Sequence, residues 1–412
     1  MSPVWPPSTT AASAALNDAH AIRRAGRDVL SLALIESRNV LLHALAEHET
    51  PARLKRALQA GLFQEHWICG HVQRGRGEAC DAHAPRLAGI ERRVASWADP
   101  ASPPPPSGLA RAYLAEVLEI VLDLLSGTPD DDAALYFYRR ALQQEDRLVE
   151  RLLAEPRAGV LRHAGAAPPL WWPAQRAFTM GSAPLAPDGG PAGLVPQGER
   201  WAHALALPEF EIDARTVNWG QFVEFAEDGG YDRRELWSEA GWAWRNSPST
   251  GAGPGAGSGD SRRAPAAVEQ LGAGAVLWRS GDGKLRRVGL MAPVQGLTRH
   301  EAEAWCAWAG RRLPLEPEWE CAALAGPRRG FAWGDVLEWV AGSARPWPEA
   351  GPAPPAEIDP LPLVPGRGGA QRFGVLRGAG QATPARWHHP RARRFASTGD
   401  SAARAGFRSC AL

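Results

Sequence analysis

The chain has 412 residues, 44% of them hydrophobic, which is enough for two cores, since a single core rarely grows beyond about 250–300 residues. Forty-six basic residues against 45 acidic ones leave a net charge of +1, so no global field draws the chain to nucleic acid or to a membrane, and neither is expected as a partner. Its five cysteines (Cys69, Cys80, Cys306, Cys321, Cys410) show no CxxC spacing, which argues against a disulfide frame or a thiolate zinc site.

Residues 1–17, rich in Pro, Ser, Thr and Ala, read as a disordered arm. They lack a basic stretch followed by an apolar core, and no apolar run nears the roughly 18 residues of a membrane span, so a cytoplasmic location is expected. From Asp18 to about Glu49 the pattern is helical, with Leu30, Leu34, Val40, Leu41 and Leu45 on an apolar side and Arg23, Arg27, Glu36 and Arg38 opposite. A second helix is predicted over Pro51 to Cys69, followed by a loop from His71 to Arg86 and a stiff four-proline spacer at Pro103 to Pro106. Gly108 to Ser126, with Tyr113, Val117, Ile120, Val121 and Leu124 as its face, and Asp131 to Leu153 complete four helices, the last opening on Asp130, Asp131 and Asp132 where carboxylates favour the helix dipole. Residues 18–158 are therefore predicted to form a helical bundle, an architecture that builds sites from side chains on facing helices.

A linker over 159–177 carries the Trp171–Trp172 pair and is predicted to strap both domains together. The second domain, 178–412, alternates turn signals with short strand patterns and contains a Gly/Ser-rich insertion at 246–265 that reads as a mobile loop. Within it, Arg299 to Gly310 spaces Ala302, Trp305, Cys306 and Ala309 as an amphipathic helix stopped by Gly310. Pro314 and Pro317 with Glu316, Glu318 and Glu320 predict a second, acidic-capped helix. Between Trp339 and Leu376 the chain is low-complexity Pro, Ala and Gly.

The order of FTMGS (Phe178 to Ser182), RTVNWGQFVEFAEDGGYD (Arg215 to Asp232), HEAEAWCAWAGRRLPLEPEWECAA, GFAWGDVLEW, LRGAGQATPAR (Leu376 to Arg386) and AGFRSCAL resembles the sulfatase-modifying-factor domain, the formylglycine-generating-enzyme fold. WAHALALPEFEID, WSEAGWAW and GFRSCAL resemble its ergothioneine-type sulfoxide synthase and selenoneine synthase branch. That resemblance implies an α+β protein, a DinB-like four-helix bundle followed by an irregular mixed domain of the C-type-lectin-like kind. It also implies a family reaction: O2-dependent carbon–sulfur or carbon–selenium bond formation at the imidazole C2 of hercynine, on a non-haem iron held by three His.

Residue by residue, the resemblance puts Gln59, ahead of FQEHW (Phe63 to Trp67), where the first His falls, and Gln144 and Leu148 where a His-x-x-x-His pair falls. Leu donates no lone pair and a Gln carbonyl is a weak neutral ligand, so no metal is expected there. Fe(II) is expected only if a site is rebuilt, for which His66, His71 and His83 are the nearby imidazoles. The QRGRG loop (Gln73 to Gly77) resembles the element that holds donor carboxylates, which makes Arg74 and Arg76 substrate-binding candidates because a guanidinium fork suits a carboxylate. PRARRF (Pro390 to Phe395) resembles part of the pocket for a trimethylated amino acid, with Arg394 where an Asn is usual; a cation there would repel a quaternary ammonium. Trp387, Trp333 and Trp339 are candidate cation-binding rings. The single Tyr of the second domain, Tyr231, lies outside the region where the family places a proton donor, and Thr383 and His388 stand where formylglycine generation uses two copper-binding Cys.

Two readings of different class follow. One is a metal-free descendant, a pseudoenzyme that binds an amino-acid betaine, a thiol or a selenosugar, or that partners a pathway protein. The other is an active iron-dependent synthase using a rebuilt metal site.

Overall fold

The computed structural model describes residues 11–89, 96–97, 99, 101–153, 167–186, 188–247, 262–272, 274–280, 283–347, 373–401 and 404–412. The expected arm is helical over its last seven residues, α1 (Ala11–Asn17), which packs on the next helix. Four longer helices follow as predicted: α2 (Arg27–Glu47), α3 (Pro51–Gln64), α4 (Ser107–Ser126) and α5 (Asp132–Leu153). Thr50 caps α3 by accepting from the Arg53 amide, with Pro51 at the first helical position where no amide is needed, and the helix runs on as a π-helical turn, Glu65–Cys69. Among the described residues only α2 is long and apolar enough to cross a membrane, and it packs on α5, α4 and α3 through Leu30, Leu34, Leu41 and Leu45, so bundle packing accounts for its apolarity.

Helix α5 is the axis of the bundle, with 16 of its 22 residues buried, so it must satisfy polar side chains on more than one face. Arg38, which periodicity puts on the solvent side of α2, is instead only 1% exposed. Its Nε donates to Glu145 Oε1 at 2.6 Å, its Nη2 to Gln64 Oε1 at 2.8 Å, and its Nη1 to the Leu114 carbonyl, while Gln64 Nε2 donates to Glu145 Oε2 at 2.8 Å. Three helices and the carbonyl of a fourth thus share one buried charge pair.

The second domain starts before residue 178. β1 (Leu170–Trp172) pairs antiparallel with β4 (Phe210–Ile212), and β2 (Gln175–Met180) with β3 (His203–Leu207). The predicted strap is therefore part of this domain's sheets: Trp172 stacks on Phe210 in its core and Trp171 is 55% exposed. Helices α6 (Trp219–Glu227) and α7 (Glu239–Asn246) precede a three-stranded antiparallel sheet of β5 (Val268–Gly272), β6 (Ala275–Arg279) and β7 (Leu285–Val288). Most of the predicted insertion, 248–261, and the low-complexity segment 348–372 lie outside the described residues.

Helices α8 (Arg299–Trp308) and α9 (Glu316–Ala325) form where expected; Thr298 and Glu301 make a reciprocal capping box, and Gly310 takes the left-handed φ of 64° that ends α8. The central sheet has the order β10 (Arg393–Ser397), β9 (Phe373–Gly378), β8 (Leu337–Ser343), β11 (Ala405–Phe407), with only β11 parallel to its neighbour. The acidic residues of α9 do more than favour its dipole: Glu316 pairs with Arg393 and Glu320 with fully buried Arg377, tying the helix to this sheet, while Glu318 pairs with Arg312 just ahead of the helix.

Removing one member of a buried pair strands the other charge. Glu145→Ala should therefore cost about 3–5 kcal/mol in urea unfolding, whereas Arg38→Met with Glu145→Leu should be close to neutral or stabilising.

Candidate functional site

The bundle meets the second domain along one face of α5. Asp146 follows Glu145 by about 100° of helix turn, so it points away from the Arg38 pair and out toward the second domain. There the 3₁₀ turn Ala385–Trp387 presents two donors to it: Arg386 bonds bidentately, Nε to Oδ2 at 2.6 Å and Nη2 to Oδ1 at 2.8 Å, and Trp387 Nε1 reaches Oδ2 at 2.6 Å. Ser37 of α2 donates to Asp146 Oδ1 at 2.7 Å, and Glu36 accepts from Arg386 Nη1 at 2.7 Å. Both Arg386 and Asp146 are fully buried. Burial works against the Arg386 charge, but Asp146 and then Glu36 more than offset it, so the guanidinium stays charged.

One turn along α5, Glu150 accepts from Thr383 and from Arg394. Thr383 Oγ1 in turn accepts from the Gly380 amide at 2.9 Å, and its carbonyl lies 3.0 Å from His388 Nε2. On the other flank, Arg23 ahead of α2 forms a buried fork with Glu199, at 2.7 and 3.1 Å, and Arg200 pairs with Glu78. Gln143, Asp146, Arg147 and Glu150 of α5, with Arg23, Glu199, Trp387 and Ala392 to Arg394, line a cleft whose open space for a water-sized sphere is about 20 Å³. That holds a water or two, not an amino acid.

His389 seals the same interface. It is 4% exposed, stands edge-on to His20 at 4.8 Å, and lies 3.9 Å from Glu199. Burial, then Arg23, His20, Arg391 and Arg377, hold it well below the usual histidine range.

Of the predicted site residues, Trp387 and Arg394 come together on this cleft, and the charge of Arg394 is met by Glu150. Arg74 and Arg76 lie apart from it, on the turn Arg74–Ala79, where Arg76 donates to Gln73 Oε1 at 3.2 Å. The turn docks on α5 through Gly77, whose φ of 54° and approach to the Ala133 carbonyl leave no room for a Cβ (2.8 Å). Trp339 is a core residue bonded to the Leu297 carbonyl, and Trp333 packs on Trp319 and His388. Tyr231 is buried with its hydroxyl on Glu301 at 2.7 Å. Cys410 is buried beside Glu318, and burial, then Glu318, raise its thiol far out of the reactive range.

Of the residues that the resemblance aligns with iron ligands, Gln59 is exposed, Gln144 half-buried, and Leu148 packed in the bundle's apolar cluster. The nearby imidazoles do not converge: His66 lies against Arg86, His71 is buried beside Trp67 and Phe137, and His83 is exposed. Among the described residues no three His, Cys, Asp or Glu side chains are grouped to hold a metal. The residues missed by sequence reading are Arg38, Glu145, Asp146, Glu150 and Arg386. A signal was present in α5, where five consecutive polar residues, Gln143 to Arg147, separate Leu142 from Leu148 and so put polar side chains on every face of the helix.

These features define a two-domain protein, a helical bundle locked by buried ion pairs onto an irregular α+β domain. Residues 177–338 match the sulfatase-modifying factor enzyme 1-like domain. The chain is 32% identical over 306 residues to the hercynine oxygenase of Mycolicibacterium smegmatis, covering 59% of this chain and 64% of that protein. It is 28% identical over 293 residues to the hercynine oxygenase of Mycobacterium tuberculosis, covering 58% and 64%. The structure of PvdO from Pseudomonas aeruginosa aligns at 16% identity with a TM-score of 0.35, over 62% of this chain and 98% of that one. Residues 177–338 thus form a formylglycine-generating-enzyme-like domain, and the chain as a whole is similar to the hercynine oxygenases. It spans just under two thirds of the length of the two hercynine oxygenases.

Asp146→Asn weakens the fork to Arg386 and leaves that guanidinium buried, so about 3–5 kcal/mol of docking should be lost, read as separation of one thermal transition into two. For pH the sign is set by His389: the folded group is held well below 6.5 while the unfolded one titrates near 6.5, so unfolding takes up a proton as pH falls. Stability should drop by about 1.4 kcal/mol per pH unit below that value until the folded group titrates, and His389→Asn should remove about one proton's worth of slope in denaturation series between pH 7 and 5.

Proposed function

We propose that the chain is a divergent homologue of the non-haem iron sulfoxide and selenoneine synthases, with a DinB-like bundle, that has given up the three-His iron site and acts as a metal-free binding or accessory protein. The carrying observation is the donor set: an exposed amide at Gln59, a half-buried amide at Gln144, and at Leu148 an alkyl side chain packed among apolar neighbours. Imidazole is a far better Fe(II) donor than a neutral amide, and an alkyl group donates nothing, so these residues do not fit the family's iron. No oxidative step is assigned to the chain.

The closed cleft supports the same reading. Asp146 and Glu150, which line the cleft between the domains, are already engaged by Arg386, Trp387, Thr383 and Arg394. The pairing of Arg394 with Glu150 also removes much of the repulsion that a lone guanidinium would exert on a betaine. A small betaine, thiol or selenosugar, or a protein of the same pathway, is the ligand class this reading carries.

Iron content after anaerobic incubation with Fe(II) and desalting tests it, with the Gln59→His, Gln144→His, Leu148→His triple variant as the control for the cavity. The expected result is no retained iron in the natural chain. About one iron per natural chain would overturn the reading and establish a rebuilt centre.

A further inference from the structure

The chain ahead of α2 crosses from the bundle to the second domain. On the bundle side α1 packs on α2, and Arg139 Nε of α5 donates to the Ala25 carbonyl at 3.1 Å. On the other side α1 lies against the turn Ala385–Trp387, Arg23 forks onto Glu199, the Leu194 amide donates to the Arg23 carbonyl at 2.8 Å, and Arg24 pairs with Asp188 at 2.7 Å. Gly193 makes the seat: its φ is 71°, and a Cβ there would stand 2.0 Å from the Arg23 carbonyl oxygen. Arg23 also lines the interdomain cleft together with Gln143, Glu150 and Arg394, so residues 11–25 are a strap whose departure opens that cleft.

The strap rests on His389. Contact at 4.8 Å joins the exposed ring of His20 to one that is 4% exposed. His389 Nδ1 accepts from the Arg391 amide at 3.3 Å, so the neutral ring carries its proton on Nε2, and the proton that charges it must go to Nδ1, against that N–H. The charged groups around the ring are His20 and Arg23 of the strap, Glu199, Arg391 of its own loop, Arg377 of β9, and Glu320 of α9, which Arg377 and the Gly181 amide already engage. Among the described residues the carboxylate within reach of Nδ1 is Glu199, 3.9 Å away, and its Oε2 already accepts from Arg23 at 2.7 Å and from Ser182 at 3.2 Å. A proton on Nδ1 therefore either stands unanswered among guanidinium groups or draws Glu199 away from Arg23. Both loosen the strap, and a charged His20 adds repulsion at ring contact.

We propose that residues 11–25 form an acid-released strap over the interdomain cleft, with His389 as the sensor and the Arg23–Glu199 fork as the bond that yields. Released, His389 is an ordinary histidine that titrates near about 6.5; held, it stays neutral to lower pH. The open form thus takes up a proton as pH falls, and its population rises by up to about tenfold per pH unit below about 6.5. The inference stands apart from the metal-free reading, which the iron measurement tests.

The test is hydrogen–deuterium exchange of the full chain between pH 7 and 5, corrected for the intrinsic pH dependence of amide exchange. Amides of the strap should lose about tenfold of their protection over that range while those of α5 and β8 keep theirs. In His389→Asn, whose side-chain carbonyl can still accept from the Arg391 amide, the loss should disappear. If that variant leaves α5 unprotected at pH 7, His20→Asn at the exposed position takes its place, with a smaller loss expected than in the natural chain. Gly193→Ala changes no titratable group and should expose the strap at pH 7 already. Strap protection that is constant between pH 7 and 5, that falls together with that of α5, that falls as much in the histidine variant as in the natural chain, or that survives Gly193→Ala overturns the proposal.

Discussion

The contact on which the arrangement of this protein depends is the one around Asp146. A carboxylate at zero exposure is costly to bury, and it is tolerated here because four donors converge on it: two from Arg386, one from Trp387 and one from Ser37. They come from two places, the turn Ala385–Trp387 in the second domain and α2 in the bundle, so satisfying Asp146 and docking the domains are one event. Around it, Arg23 with Glu199 and Arg394 with Glu150 repeat the scheme with partners more than 170 residues apart.

The same solution recurs inside each core. Arg38 and Glu145 hold three bundle helices, Arg377 and Glu320 fix α9 to the central sheet, and Arg408 and Glu338 join β11 to β8 while Arg408 also bonds the Asp213 and Ala332 carbonyls. Such pairs contribute less net stability than their number suggests, because desolvation offsets the attraction. They do impose geometry, since a misdocked helix would leave a charge buried and unmet. In a chain whose second domain has short strands and little regular sheet, that specificity is a physical reason for so many buried arginines.

This organisation bears on the function. The α5 face toward the interdomain cleft is largely occupied by protein donors, and the positions that the resemblance assigns to iron ligands carry Gln59, Gln144 and Leu148. The proposed metal-free reading stems from the two amides and the alkyl group at those three positions.

Much of the fold was legible along the chain. Periodicity marked α2 to α5, the acidic and proline signals marked α9, Gly310 marked the end of α8, and the order of the motifs from FTMGS to GFRSCAL identified the second domain. That Gln59, Gln144 and Leu148 are weak or absent metal donors was legible too, because a missing lone pair is a property of the residue itself. Only the tertiary structure decided that Arg38 turns inward, that Trp172 belongs to the second domain's core, that Arg394 is neutralised, and that Arg74 and Arg76 stand away from Trp387. A hydrophobic pattern reports which residues leave water by their apolarity. It is silent about a charged residue that leaves water with a partner, because that partner lies a hundred or more positions away and only folding brings the two together.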